Sequence, residues 1–221
     1  MQEQQFIDSI KYGFPNRENA EFLDDKTIYD KYYNDFINTP FFPNSSHETY
    51  RELLIISEQV NNGKDKSVDL YIDRKFYDYL IGQVKKQGIN ISVDTLSKIV
   101  LNVAPLIMRL KVFYQRPRPF QLGFYANIPL MPFASLPAQA PAYPSGHGCQ
   151  SRYMALVLSH FFPDKEDFLI KLSDYVANSR VSIGVHYPSD NAFGQAIAEY
   201  LFSKPETQAF LDSIASELVT E

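Results

Sequence analysis

Residues 143–162 read YPSGHGCQSRYMALVLSHFF, and this stretch decides the fold. Pro144 and Ser145 close an irregular segment, and Ser145 is of the residue types that cap a helix. From Gly146 onward no proline interrupts the chain until Pro163. Met154, Leu156, Val157 and Leu158 make the run strongly apolar, which predicts a buried helix over about 146–162. Helical spacing resumes over 164–184, 188–203 and 205–219, with Pro188 and Pro205 suited to first turns. Working outward toward the N-terminus, Ser45 and Glu48 form a capping-box pattern ahead of a helix over 46–61. A second helix is predicted over 65–87, ended by Gly88. A third runs from Ser92 toward Tyr114, with a kink expected at Pro105 because proline removes a backbone donor. An earlier helix is expected over 24–38, stopped by Pro40. Between 115 and 144, seven prolines break the pattern into a long loop. Its Phe120, Phe124, Tyr125, Leu130 and Phe133 argue for packing over disorder. Strand signals are nearly absent, so the prediction is an all-α helical bundle.

A chain of 221 residues with 45% apolar content can bury one substantial core. We expect a single domain over 1–221, with N-terminal helices that carry no motif (1–90), a functional core (91–204) and a C-terminal helix (205–221). The net charge of −5 argues against nucleic acid or anionic lipid as partner, so a basic cluster would stand out as local design. The single cysteine, Cys149, excludes an internal disulfide framework and a thiolate metal site. The chain shows no HExxH, no paired-carboxylate metal motif and no Cys/His cluster, so no metal is expected. The first residues, MQEQQFIDSIKYGF, carry Gln and Glu where a secretory signal would carry Lys or Arg. The apolar runs at 99–110 and 153–162 are shorter than the roughly 20 residues that cross a bilayer. The expected location is therefore inside the cell, and the sequence is silent on oligomeric state.

Three short motifs carry chemistry. Lys111 is followed seven residues later by Arg118, with Arg116 and two prolines between and beside them. On a helix that spacing returns to one face, although Pro117 is expected to end the helix first. Alone, the pair reads equally as a solvated basic helix end. Ser145, Gly146 and His147 stand at a helix N-terminus, where free N–H groups, a glycine and a hydroxyl make an anion cradle. Alone, Ser145 is as readily a plain N-cap and His147 a surface residue. Arg180, His186 and Asp190 lie within SRVSIGVHYPSDN (179–191). Pro188 puts Asp190 in a first helical turn with His186 just outside it, where the carboxylate can fix the imidazole tautomer and leave the other ring nitrogen as nucleophile or base. An ordinary cap with a structural histidine explains this motif as well. The other histidines, His47 and His160, are expected on the surface or in packing, and Cys149 as a small buried residue.

All three motifs occur in order within 80 residues, a coincidence on the order of 10⁻⁷ or rarer by average composition. Together, K-x6-RP, PSGH and SR-x5-H-x3-D resemble the type 2 phosphatidic acid phosphatase superfamily, which also includes bacterial class A acid phosphatases and vanadium-dependent haloperoxidases. The resemblance covers about 111–190. It implies an all-α fold and a metal-independent phosphatase acting on a small phosphorylated substrate. Lys111, Arg118, Ser145, Gly146 and Arg180 would bind phosphate, His186 would form a phosphohistidine, Asp190 would orient it and His147 would protonate the leaving oxygen. No cofactor is expected on this reading. The alternative is a haloperoxidase holding vanadate at His186. PAYPSGH is similar to haloperoxidases, whereas GVHYPSD is similar to the phosphatase branch, and the phosphatase is favoured. A third reading is a module that binds phosphate without turnover.

Overall fold

The computed structural model describes residues 2–218, and among them it holds helices and no strand. In chain order these are α1 (Gln2–Ser9), α2 (Arg17–Ala20), α3 (Tyr33–Phe36), α4 (His47–Asn61), α5 (Ser67–Arg74), α6 (Phe76–Lys85), α7 (Val93–Leu101), α8 (Ala104–Tyr114), α9 (Pro119–Gly123), α10 (Gly146–Phe161), α11 (Glu166–Ser182), α12 (Pro188–Phe202) and α13 (Pro205–Leu218). Short 3₁₀ turns lie at Glu21–Leu23, Asp30–Tyr32 and Pro163–Lys165.

The fold is built around α10. Ser145 caps it, accepting from Gly148 N–H at 3.1 Å. Cys149, Tyr153, Met154, Ala155, Val157 and Leu158 on this helix are all fully buried. Burial of each large apolar side chain contributes roughly 1.5–3 kcal/mol, so this helix is a main source of stability. Its principal neighbours are α11 and α12. Behind it, Tyr29 reaches in from the N-terminal segment, and its hydroxyl lies 2.5 Å from that of Tyr153 and 2.7 Å from Thr207 Oγ1. A smaller apolar cluster joins Leu53 and Ile56 of α4 to Leu122, Ile128 and Leu130 of the proline-rich loop.

Several boundaries depart from expectation, each for a physical reason. Ser46, not Ser45, caps α4 by accepting from Thr49 N–H, while Ser45 binds the Asp8 carboxylate. The helix expected over 24–38 is reduced to one 3₁₀ turn and α3, in a segment engaged in tertiary bonds: the Thr27 hydroxyl donates to the Asn102 carbonyl, and the Asp25 carbonyl accepts from Arg109. The helix expected over 65–87 is two, broken at Lys75 (φ −136°, ψ 49°), where Asp73 and Phe76 both turn toward the same cleft. Pro105 does not kink a continuous helix; the chain breaks at Asn102 and Val103, and Pro105 sits in the first turn of α8. Of the loop residues expected to pack, Phe120, Phe124 and Tyr125 are exposed, whereas Leu130 is buried, together with Leu122 and Ile128. Helices α1 and α2 were not anticipated. The last helix agrees with expectation to Leu218, and the expected end at Val219 lies outside the described residues. His47 and His160 are exposed and Cys149 is buried, as expected.

Helices α10 and α12 meet at backbone distance. A Cβ at Gly194 would fall 2.5 Å from the Ser145 carbonyl oxygen and 3.2 Å from Cys149 N. Gly to Ala inside a helix normally gains up to about 1 kcal/mol, but overpacking a fixed backbone contact costs about 1–3 kcal/mol. Gly194→Ala is therefore expected to lower the urea-unfolding free energy by roughly 1–2 kcal/mol, and an unchanged or stabilised variant would contradict this contact.

Candidate active site

The three motifs converge on one cleft of about 340 Å³, into which Lys111, Arg118, Gly146, His147, Arg180 and His186 project. Helix α8 ends at Tyr114, with Gln115 in left-handed conformation (φ 57°), so Lys111 stands in its last turn and Arg118 lies beyond the helix as the cap of α9. The two still reach the same cleft. Lys111 Nζ donates to the carbonyls of Pro141 (2.7 Å) and Ala142 (3.2 Å). Arg118 Nε donates to Ala140 O (2.8 Å) and its Nη1 to Val185 O (2.7 Å). Arg180, in the last turn of α11, pairs through Nη1 with Asp73 (2.5 Å). All three cations are buried. Gly146 opens α10, where first-turn N–H groups lack partners within the helix. Ser145 is buried behind it, with its hydroxyl oxygen used as the helix cap.

His186 is held from both sides. Its Nδ1 lies 2.9 Å from Asp190 Oδ2 and its Nε2 lies 3.0 Å from Arg118 Nη1. A carboxylate only accepts and a guanidinium only donates, so the proton belongs on Nδ1 and the lone pair on Nε2. Asp190 Oδ2 also accepts from Tyr187 N–H (2.9 Å). His147 lies at the edge of the Phe76 ring, with centroids 4.6 Å apart, and its Nε2 is buried with no partner.

The electrostatics of the cleft follow from burial among like charges. Burial, then Arg180, His186, Lys111 and Arg118, holds the His147 imidazole well below its usual range. Burial and then Arg118 do the same to His186, against the pull of Asp190. Burial, with Arg118 and Arg180, holds the Lys111 ammonium well below its usual range, and Arg118 itself is lowered to about 10 by burial and Arg180. Burial alone would raise the Asp190 carboxyl, but Arg116 and the His186 hydrogen bond outweigh it and hold the group below the ordinary carboxylate range. A bound dianion would offset this concentration of positive charge.

Sequence reasoning passed over four supporting residues. Arg116 is fully buried and bridges Asp190 Oδ1 (2.6 Å) and Glu52 Oε2 (3.0 Å), stacked 3.8 Å from the Tyr187 ring centroid. Glu52 also accepts from Ser189 N–H (2.6 Å). Asp73 accepts from Ser135 Oγ (2.5 Å) as well as from Arg180. The signal available for Arg116 was the doubled Arg-Pro at 116–119; Glu52, Asp73 and Ser135 stand in segments with no motif.

Among the described residues no group of three or more His, Cys, Asp or Glu side chains is placed to hold a metal ion, and no helix is long and apolar enough to cross a membrane. Two outcomes follow from the buried charges. Arg116→Met leaves Glu52 and Asp190 uncompensated and is expected to cost about 3–5 kcal/mol in urea unfolding, whereas Glu52→Gln, which keeps the Arg116 pair with Asp190, costs less. His147 and His186 bind protons less readily when folded than when unfolded. Below their ordinary value of 6.5 the unfolded chain therefore takes up more protons, and stability is lost as the pH falls. The phosphate-free unfolding midpoint is expected to drop between pH 7 and pH 5 by about 2–4 °C per kcal/mol lost, and saturating inorganic phosphate to recover part of it. Equal midpoints in calorimetry would contradict this account.

A family profile described as the PAP2 superfamily matches residues 93–203. Non-specific acid phosphatases of Salmonella typhi and Salmonella typhimurium are 33% and 32% identical to this chain over 106 residues, which is 48% of this chain and 42% of each relative. One from Providencia stuartii is 32% identical over 108 residues, 47% of this chain and 43% of the relative. The matched stretch thus spans less than half the length of these relatives. With the profile covering half of the chain and enclosing all three motifs that meet in the cleft, this chain belongs to the PAP2 superfamily.

Proposed function

We propose that the protein is a phosphatase that hydrolyses monoesters of phosphate through a phosphohistidine at His186, with a small phosphorylated substrate and no metal or other cofactor. One observation carries the reading: His186 has its Nδ1 proton fixed on Asp190 Oδ2 at 2.9 Å, and its Nε2 faces the buried cations. The acid phosphatases among its relatives support the same reaction class.

Phosphoryl transfer spreads negative charge over three equatorial oxygens, and Lys111, Arg118, Arg180 and the Gly146 N–H are the donors for them. When the phosphoryl group draws Arg118 onto its oxygens, the Nε2 lone pair is released to attack phosphorus. The ester P–O bond breaks as the N–P bond forms, and the leaving oxygen takes a proton from His147. The dianion supports that proton, because it offsets the repulsion that, after burial, depresses His147. Asp190 stabilises the positive charge that develops on the His186 ring. Water, deprotonated by His147, then attacks phosphorus, and inorganic phosphate leaves with His186 restored.

The donor set also fits vanadate: Lys111, Arg118, Arg180 and His186 would hold it, and when bound it supplies peroxide-dependent oxidation of halide. Hydrolysis of phenyl phosphate in EDTA, inhibited by vanadate, is the expected result. Bromination with vanadate and peroxide in its place would establish the haloperoxidase reading, and phosphate binding with neither reaction a binding module. His186→Ala is expected to abolish turnover with the helical circular dichroism intact, and His147→Ala to lower it by roughly 10²–10⁴. Full activity in His186→Ala would sink the assignment.

A further inference from the structure

The cleft has two chemically distinct parts. Lys111, Arg118, Arg180 and His186 are at most 4% exposed and form its deep end. Above them Phe22, Phe76, Tyr77, Leu101 and Met108 form an apolar wall, with exposure rising to 41% at Leu101. The polar members of this outer part are Asn19, Arg74 and Gln150, and the buried Asp73, paired with Arg180, also lines the cleft. The wall is assembled from separate places in the chain: the 3₁₀ turn at Glu21–Leu23, the start of α6, the end of α7 and α8. The break at Lys75 is what brings Phe76 round to the cleft. An apolar lining with a few charged groups at its deep end is the usual make-up of a small-molecule site.

The position of Phe76 ties the wall to the chemistry. Its ring centroid is 4.6 Å from that of His147. The oxygen that His147 protonates carries the rest of the substrate, so that part begins beside Phe76 and runs along the wall. The volume limits its size: a cavity of about 150 Å³ holds a benzene, and the whole cleft is about 340 Å³, part of it taken by the phosphoryl group. One ring fits within it.

We propose that this wall is the binding site for the alcohol portion of the substrate, and that the substrate is a phosphate monoester of a compact aromatic or branched apolar alcohol, not of a sugar or polyol. The placement of the leaving oxygen rests on the phosphatase reading, so the test is one of binding and needs no turnover. Benzylphosphonate, methylphosphonate and 2,3-dihydroxypropylphosphonate share one anion and differ only in the group offered to the wall. In titration calorimetry with the full chain, benzylphosphonate is expected to bind on the order of 10-fold tighter than methylphosphonate, and the dihydroxypropyl compound no tighter. Replacing both Phe22 and Leu101 by Ser, at partly exposed positions, is expected to cut the benzyl-to-methyl ratio several-fold. Equal affinities, a preference for the dihydroxypropyl group, or a ratio untouched by the double substitution would overturn the proposal. A retained benzyl preference with no hydrolysis of benzyl phosphate would instead overturn the phosphatase reading and leave the apolar site standing. Absence of binding by all three would overturn both.

Discussion

The site hangs on Asp190. Its side chain receives Arg116 on one oxygen and, on the other, the His186 ring and the Tyr187 N–H, while its main-chain carbonyl accepts from Ser145 N–H at 2.9 Å. One residue thereby connects the segment after α8, the turn before α10 and the start of α12, which are the three places where the sequence motifs lie. An uncompensated carboxylate at zero exposure would cost several kcal/mol. Here every lone-pair direction in use is answered by a donor, and two of the donors are charged or polarised. The fold can therefore bring the motifs together only in an arrangement that satisfies Asp190, and that arrangement leaves His186 Nε2 facing the cations.

Those cations set a second constraint. The chain as a whole is acidic, yet Lys111, Arg118 and Arg180 are buried within one cleft. Backbone carbonyls from Ala140 to Ala142 and Val185 take up part of their hydrogen-bonding capacity, and Asp73 pairs with only one of them. This solvates the charges without neutralising them. The remaining positive potential is available to a ligand, and it adds to burial in making the two histidines and Lys111 reluctant to hold protons.

The sequence made the anion-facing residues legible and left their supports hidden, and the reason is physical. On the proposed reading Lys111, Arg118, Gly146, His147, Arg180 and His186 meet one small group from fixed directions, so their spacing along the chain is constrained and readable. Glu52 and Asp73 have only to deliver a carboxylate to an arginine, and any helix passing nearby can do that. They lie 64 and 107 residues from their partners and belong to helices with no pattern beyond amphipathicity. Arg116 was visible but indistinguishable from a solvated basic helix end, since only burial separates the two. The long helices over 146–162, 164–184 and 188–203 were read to within two residues because caps and prolines punctuate them. Where tertiary bonding overrides propensity, as at Lys75 and over 24–38, local sequence carried no warning.

The backbone contact at Gly194 has a consequence for the anion cradle. Because α12 touches the Ser145 carbonyl with no side chain between them, main-chain atoms set the closest approach between the start of α10 and the helix that carries Asp190. Rotamer changes cannot widen or narrow it. The first turn of α10, and with it the Gly146 N–H, is thus a fixed edge of the cleft, whereas Lys111, Arg118 and Arg180 reach the cleft as side chains.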